Sequence, residues 1–230
     1  SQTYNNQAFA TDLRFKTNRG YYILFNINSS EDLINQNNLN YLGILDHTQT
    51  ERQSYELLIN KTLKQMFAYS IGFESEHEEV DYSSYGISFQ KDLRTKAFFG
   101  TIEWIKNKNS WIASARESDH ALYGKQFSWN MGFLHELTKN WSLNISSGTA
   151  FRSPNSSELY GFGSNEKLLP EVSKSREIGL STRNRNSSFK IVGFTRDTLN
   201  LINFNYADYA LNNIEEASNL GVELRYKWTN

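Results

Sequence analysis

Proline occurs only twice in this chain, at Pro154 and Pro170, and both fall within the stretch FRSPNSSELYGFGSNEKLLPEVSKSREIGL, from Phe151 to Leu180. Proline fixes φ and cannot donate to a β-ladder, so a chain that avoids it elsewhere is committed almost wholly to paired strands. The stretch itself then reads as one long structured loop between two strands.

Hydrophobic periodicity agrees. Phe9, Thr11, Leu13 and Phe15 alternate with Ala10, Asp12, Arg14 and Lys16, and Phe67, Tyr69, Ile71 and Phe73 alternate with Ala68, Ser70, Gly72 and Glu74. Trp141, Leu143 and Ile145 repeat the pattern against Ser142, Asn144 and Ser146, as do Val222, Leu224, Tyr226 and Trp228 against Glu223, Arg225 and Lys227. Period two is the signature of strands with one apolar face, and no helical period is sustained anywhere. The connections TNRG (17–20), NKTLKQ (60–65), KNKN (106–109), TKN (138–140) and NRNS (184–187) are short and polar. Those at 30–46, 76–95, 118–125 and 152–173 are longer, and short turns alternating with long loops suit a transmembrane barrel.

The proline stretch resembles the outer-membrane TonB-dependent receptors. The resemblance rests on Phe151, Arg152, Ser153, Pro154 and Asn155, then Glu158, Leu159 and Tyr160, then Asn165, Leu168, Pro170, Glu171 and Ser173, and finally Glu177 and Gly179. A second match follows at Asn213, Ala217, Gly221, Val222 and Glu223. Within the family, the Tyr160-Gly161-Phe162 continuation is most similar to the cobalamin (vitamin B12) receptors. The resemblance implies an all-β, antiparallel transmembrane β-barrel in the bacterial outer membrane. Residues 1–230 would supply about eleven strands of a 22-stranded barrel, with the plug domain outside this chain. Strand parity is consistent only if 82–90 is a hairpin of an outer loop, and 152–173 is then the outer motif loop. By the same resemblance the function is TonB-energised uptake of a scarce chelate, cobalamin first, with a siderophore or haem as the alternative. TonB and its inner-membrane complex, acting through the plug, the lipid bilayer and lipopolysaccharide are the implied partners.

Composition is compatible with a barrel. Aromatic residues make up 14% of the chain although the mean hydropathy is −0.62, and a barrel wall can spread aromatics over lipid-facing strands and girdles. Tyr21, Tyr22, Trp104, Trp111, Trp129, Trp141 and Trp228 are the girdle candidates. No apolar run reaches the length of a membrane helix, and the opening SQTYNNQAFA has no leader pattern. A net charge of −1 without a basic stripe gives no reason to expect nucleic acid. The absence of cysteine excludes disulfides and thiolate metal sites.

No enzymatic signature emerges. Ser156 and Ser157 have no histidine base beside them, His135-Glu136 has no second histidine in range, and no nucleophile elbow or phosphate loop is present. His77 lies among Glu76, Glu78 and Glu79 without the spacing of a zinc hydrolase, which reads either as a cation site or as a solvated acidic loop. For ligand binding, Tyr160, Phe162 and Asn165 are the candidates, with two aromatics to pack on a large ring and an amide to orient it. The same aromatics can equally hold the loop together. No cofactor is required. The resemblance to cobalamin receptors points to calcium at Glu31, Asp32 and Asp46, although the acids are few for an ion that takes six to eight oxygens. Arg152 and Glu158 are expected to brace the loop, and Asp12, Arg14, Lys16, Glu223, Arg225 and Lys227 to line a wet lumen. A passive porin or adhesin barrel and a soluble β-sandwich remain as rival readings.

Overall fold

A computed structural model describes residues 2–38, 44–64, 66–84 and 86–228. Eleven strands follow one another: β1 (Gln2–Lys16), β2 (Tyr21–Asn38), β3 (Ile44–Leu63), β4 (Phe67–Ser84), β5 (Ile87–Lys106), β6 (Asn109–His120), β7 (Gly124–Glu136), β8 (Trp141–Arg152), β9 (Glu171–Arg183), β10 (Ser187–Asn205) and β11 (Ala210–Trp228). They form one antiparallel sheet in strict sequence order. A five-residue helix, α1 (Ser156–Tyr160), lies in the β8–β9 connection. Among the described residues β1 and β11 are the two edges of the sheet.

The register converts the alternation of single strands into two continuous faces. On one face Phe15, Ile23, Ile59, Ile71, Gly100, Ala115 and Trp129 stand in a row across β1 to β7. Nearer the short turns, Phe67, Trp104, Trp111, Phe133, Ile145, Ile178, Gly193 and Val222 make a second row across β4 to β11. These side chains have no second layer over them: Phe98 is 61% exposed, Ile102 52% and Val222 68%. A soluble protein does not leave so long an apolar face uncovered, whereas lipid covers it without cost. The opposite face carries Arg14, Leu24, Leu58, Gly72, Phe99, Arg116 and Ser128 in register, and beside them the wholly polar row Asp12, Asn26, Glu56 and Glu74. Gly72 lies under the Phe99 ring, which a Cβ at that position would have to displace.

Of the seven girdle candidates, Tyr21, Trp104, Trp111, Trp141 and Trp228 sit on the apolar face beside the short turns, which marks one membrane rim. Phe73, Phe98 and Phe127 mark the other rim, six residues or about 20 Å along β4, β5 and β7 from the first. The expectation differs for two residues. Tyr22 faces the polar side beneath the Lys16 ammonium, 5.2 Å from its ring centre, and Trp129 lies at mid-strand.

Strands run from 12 to 20 residues, longer than the ten or so that cross a bilayer. The stretches 30–38 and 76–95, expected as loop, are largely strand, and the expected loop 118–125 shrinks to a turn between β6 and β7. Residues 39–43 and Tyr85 lie outside the described residues. Of segment 82–90, residues 82–84 end β4 and 87–90 begin β5. The pairing of β4 with β5 continues past the apolar band to Ser84 and Ile87.

The two faces make opposite demands on charge. Ile102→Arg is expected to lower stability by roughly 2–4 kcal/mol in urea unfolding of the full-length protein in lipid vesicles. Glu103→Arg, one residue away on the exposed polar face, should stay within about 0.5 kcal/mol.

Candidate ligand-binding site

Both sequence motifs meet at the end of the sheet opposite the short turns. The 153–170 loop folds onto the polar face instead of projecting from the sheet, and it is fastened at its root, on its β11 side and on its β4–β6 side.

The root is charge-assisted. Arg152 donates from Nε and one terminal nitrogen to the two carboxylate oxygens of Glu171 at 2.9 and 2.7 Å, and from the other terminal nitrogen to Glu158 at 3.0 Å. One planar fork thus joins the end of β8, the start of β9 and helix α1, a geometry that arginine supports and lysine does not. Glu158 also accepts the Asn155 N–H at 2.8 Å while Asn155 Oδ1 accepts the Glu158 N–H at 2.9 Å, a reciprocal capping box. Glu171 Oε1 accepts the Ile202 N–H at 2.9 Å and so ties β10 to the same root. Pro154, two residues past Arg152, is fully buried. The expected Arg152–Glu158 brace is present, with Glu171 as its second partner.

On the β11 side, Asn213 of the second motif accepts the Leu169 N–H at 2.8 Å and donates to the Leu169 carbonyl at 3.0 Å. Asn165 donates to the Leu211 carbonyl at 3.0 Å and accepts the Lys167 N–H at 3.0 Å, and Leu211 N–H donates to Gly163 O at 2.7 Å. Gly163 has φ +64, and a Cβ there would lie 2.7 Å from the Phe204 ring. Gly221 serves in a similar way, for a Cβ would meet the Phe194 ring at 2.5 Å. Gly179 is buried, and Glu177 and Glu223 face the polar side, exposed.

On the β4–β6 side, the Tyr160 ring packs 5.6 Å from Phe89, which stacks on Tyr82 at 4.8 Å, and the Lys91 ammonium sits 3.9 Å above Tyr160. Tyr123 donates its hydroxyl to Leu168 O at 3.2 Å. Leu159 and Leu168 are 2% and 1% exposed, and with Val80, Leu93 and Ala97 they form the small buried core. At the outer tip of β6, clear of the apolar band, His120 accepts the Leu122 N–H at Nδ1, and burial holds its pKa below the usual value.

Of the three candidate ligand contacts, Phe162 is 57% exposed, Tyr160 is half-buried against Phe89 and Lys91, and the Asn165 amide is engaged within the fold. Phe89, Lys91, Tyr82 and Tyr123 had no motif to single them out, though Phe89 and Lys91 are spaced as same-face neighbours. The three calcium candidates do not converge. Glu31 is on the apolar-parity face, where it accepts from Gln49 at 3.0 Å. Asp32 is on the polar face and accepts from Asn6 and from Tyr4. Asp46 pairs in register with Gln36, four positions beyond Asp32, and accepts from Ser84 at 2.8 Å. Adjacent strand positions point to opposite faces, which separates Glu31 from Asp32 whatever the loop does. Elsewhere on the polar face Arg116 pairs with Glu74 at 2.9 Å, and Arg52 with Glu78.

The Arg152 fork makes a prediction about the loop. Arg152→Ala should cost roughly 1–3 kcal/mol of local stability, seen as faster hydrogen exchange and proteolysis within 153–170 while the strands stay protected. Arg152→Lys should recover only part of that protection.

The family model for the TonB dependent receptor-like β-barrel matches residues 1–230. Among solved structures, the ferric enterobactin receptor PfeA of Pseudomonas aeruginosa, a Q482A mutant in complex with enterobactin, superposes with TM-score 0.84 at 16% identity, over 97% of this chain and 41% of that one. The siderophore receptor PirA of Acinetobacter baumannii gives 0.77 at 14% over 98% and 42%. The copper transporter OprC gives 0.78 at 13% over 99% and 45%. The chain thus spans about two-fifths of the length of these structures. With its full length matched and its sheet in strict order, this chain belongs to the TonB-dependent receptor β-barrel family, a family of receptors and transporters in the bacterial outer membrane.

Proposed function

We propose that this chain is the wall and motif loop of an outer-membrane receptor that captures a metal chelate for TonB-energised uptake. The observation that carries the reading is the 153–170 loop, clamped from both sides on the polar face with Phe162 left exposed. A loop fixed in this way is preorganised, so little of the binding energy goes into ordering it. Phe162 offers an aromatic surface to a large ligand, and Lys91 supplies positive charge close by for an anionic chelate. A ferric siderophore is our first choice of ligand. The names of the structural neighbours favour that class, and the Tyr160-Gly161-Phe162 likeness, which pointed to cobalamin, is weakened because Tyr160 is committed to Phe89 and Lys91. Cobalamin is the second reading. Lipopolysaccharide would surround the barrel wall, and TonB would act through a plug domain.

The test uses the full-length receptor. Ferric siderophores, haem and cyanocobalamin are titrated against it in detergent, and uptake is followed in cells with and without TonB. One chelate should bind at submicromolar concentration and enter only when TonB is present. Phe162→Ala should weaken binding about tenfold, or about 1.4 kcal/mol, without altering the folded barrel. Uptake that is equal without TonB and indifferent to solute chemistry would overturn the reading in favour of a passive pore.

A further inference from the structure

Beyond the apolar band, the lipid-side face of β2 to β5 carries an unusual row. Glu31 pairs in register with Glu51, Glu51 with Glu79, and Glu79 with Asp92, so four carboxylates stand side by side across four strands. Like charges directly opposite one another on a sheet are destabilising, and no cationic side chain interrupts this row. One position along, on the same face, His77 lies diagonal to Asp92. Its Nε2 is shut off from solvent and lies 3.0 Å from Asp92 Oδ2 and 3.6 Å from Glu79 Oε1. One ligand atom from each of His77, Glu79 and Asp92 lies within 4.8 Å of the other two. Bonds of about 2.0–2.2 Å to a single ion hold tetrahedral ligand atoms about 3.3–3.6 Å apart, so the 3.0 and 3.6 Å separations from His77 fit an ion and the Glu79 and Asp92 carboxylates would turn toward each other to close on it.

We propose that His77, Glu79 and Asp92 form a site for a divalent transition ion of the zinc class, with Glu51 next in the row as a further oxygen donor. The imidazole decides the class, since nitrogen ligation suits zinc, copper or nickel while calcium and magnesium take oxygen alone. The ion neutralises the centre of the carboxylate row. Because His77 and Glu79 lie on β4 and Asp92 on β5, it also staples the outer part of this hairpin. The opposite face of the same hairpin carries Phe89 and Lys91, the partners of Tyr160, so the staple backs the surface on which the motif loop rests. Arg94, whose Nε is 3.3 Å from Asp92 Oδ1, competes with the ion for that carboxylate. This site is separate from the chelate-binding loop and does not depend on what that loop binds.

The experiment is titration of the full-length receptor, freed of metal, with Zn2+ by calorimetry and with Co2+ by visible absorption. One ion should bind per receptor, with cobalt bands that zinc displaces. His77→Ala and Asp92→Asn should each weaken binding at least tenfold, and Arg94→Ala should tighten it. Folding of each variant is checked by retention of the heat-resistant barrel on gels. No binding by the wild-type receptor, equal binding by the folded His77→Ala and Asp92→Asn variants, or Ca2+ binding as tightly as Zn2+ at these residues would overturn the proposal. Chelate uptake is scored separately, so failure at this site and failure of the receptor reading are distinguishable.

Discussion

The backbone ladder is the constraint from which the rest of the structure follows. A strand inside a bilayer has no water to satisfy its N–H and C=O groups, so each must pair with a neighbouring strand. Here ten consecutive antiparallel pairings connect eleven strands. Within that ladder a slip of one residue would turn Phe98, Ile102 and Trp104 to the polar face and Phe99, Thr101 and Glu103 to lipid. The separation of faces therefore specifies the register, and the register places the ends of β8, β9, β10 and β11 where one arginine and one asparagine can tie the motif loop to them.

That loop accounts for the distribution of proline. Pro154, two residues past Arg152, is buried, and the carbonyl of Pro170 accepts from Asn200 at 3.4 Å, at the place where the chain re-enters the ladder. Arg152, Asn155, Glu158 and Glu171 make a single hydrogen-bonded unit, and Asn213, from what looks in sequence like an unrelated string of family residues, fastens the same loop through Leu169. Their work is structural: they hold the loop and leave the Phe162 side chain largely exposed beside it.

Much of the fold was legible because lipid-facing strands must alternate and the turns at the near rim are short and polar. Strand lengths were not. Beyond the band both faces of β4 and β5 meet water, the apolar alternation stops at Ser75, and the remaining strand looks like loop although its pairing continues to Ser84. The site was legible where a local rule wrote it, as in the capping box of Asn155 and Glu158. It was illegible where residues distant in sequence converge, as with Phe89 and Lys91 on Tyr160. Calcium at Glu31, Asp32 and Asp46 failed to converge for the same reason that the alternation succeeds, because neighbouring strand residues point to opposite faces. Glu31 instead joined a carboxylate row that only the cross-strand register assembles.

The two-faced wall is the central claim, and the chain's lack of cysteine makes it directly accessible. Single cysteine substitutions at positions 98 to 104 of the full-length receptor, spin-labelled in membranes, would be read for collisions with oxygen, which concentrates in lipid, and with a water-soluble nickel complex. Labels at Phe98→Cys, Gly100→Cys, Ile102→Cys and Trp104→Cys should favour oxygen, and those at Phe99→Cys, Thr101→Cys and Glu103→Cys should favour nickel. A profile without that two-residue period, or with its phase reversed, would contradict the account.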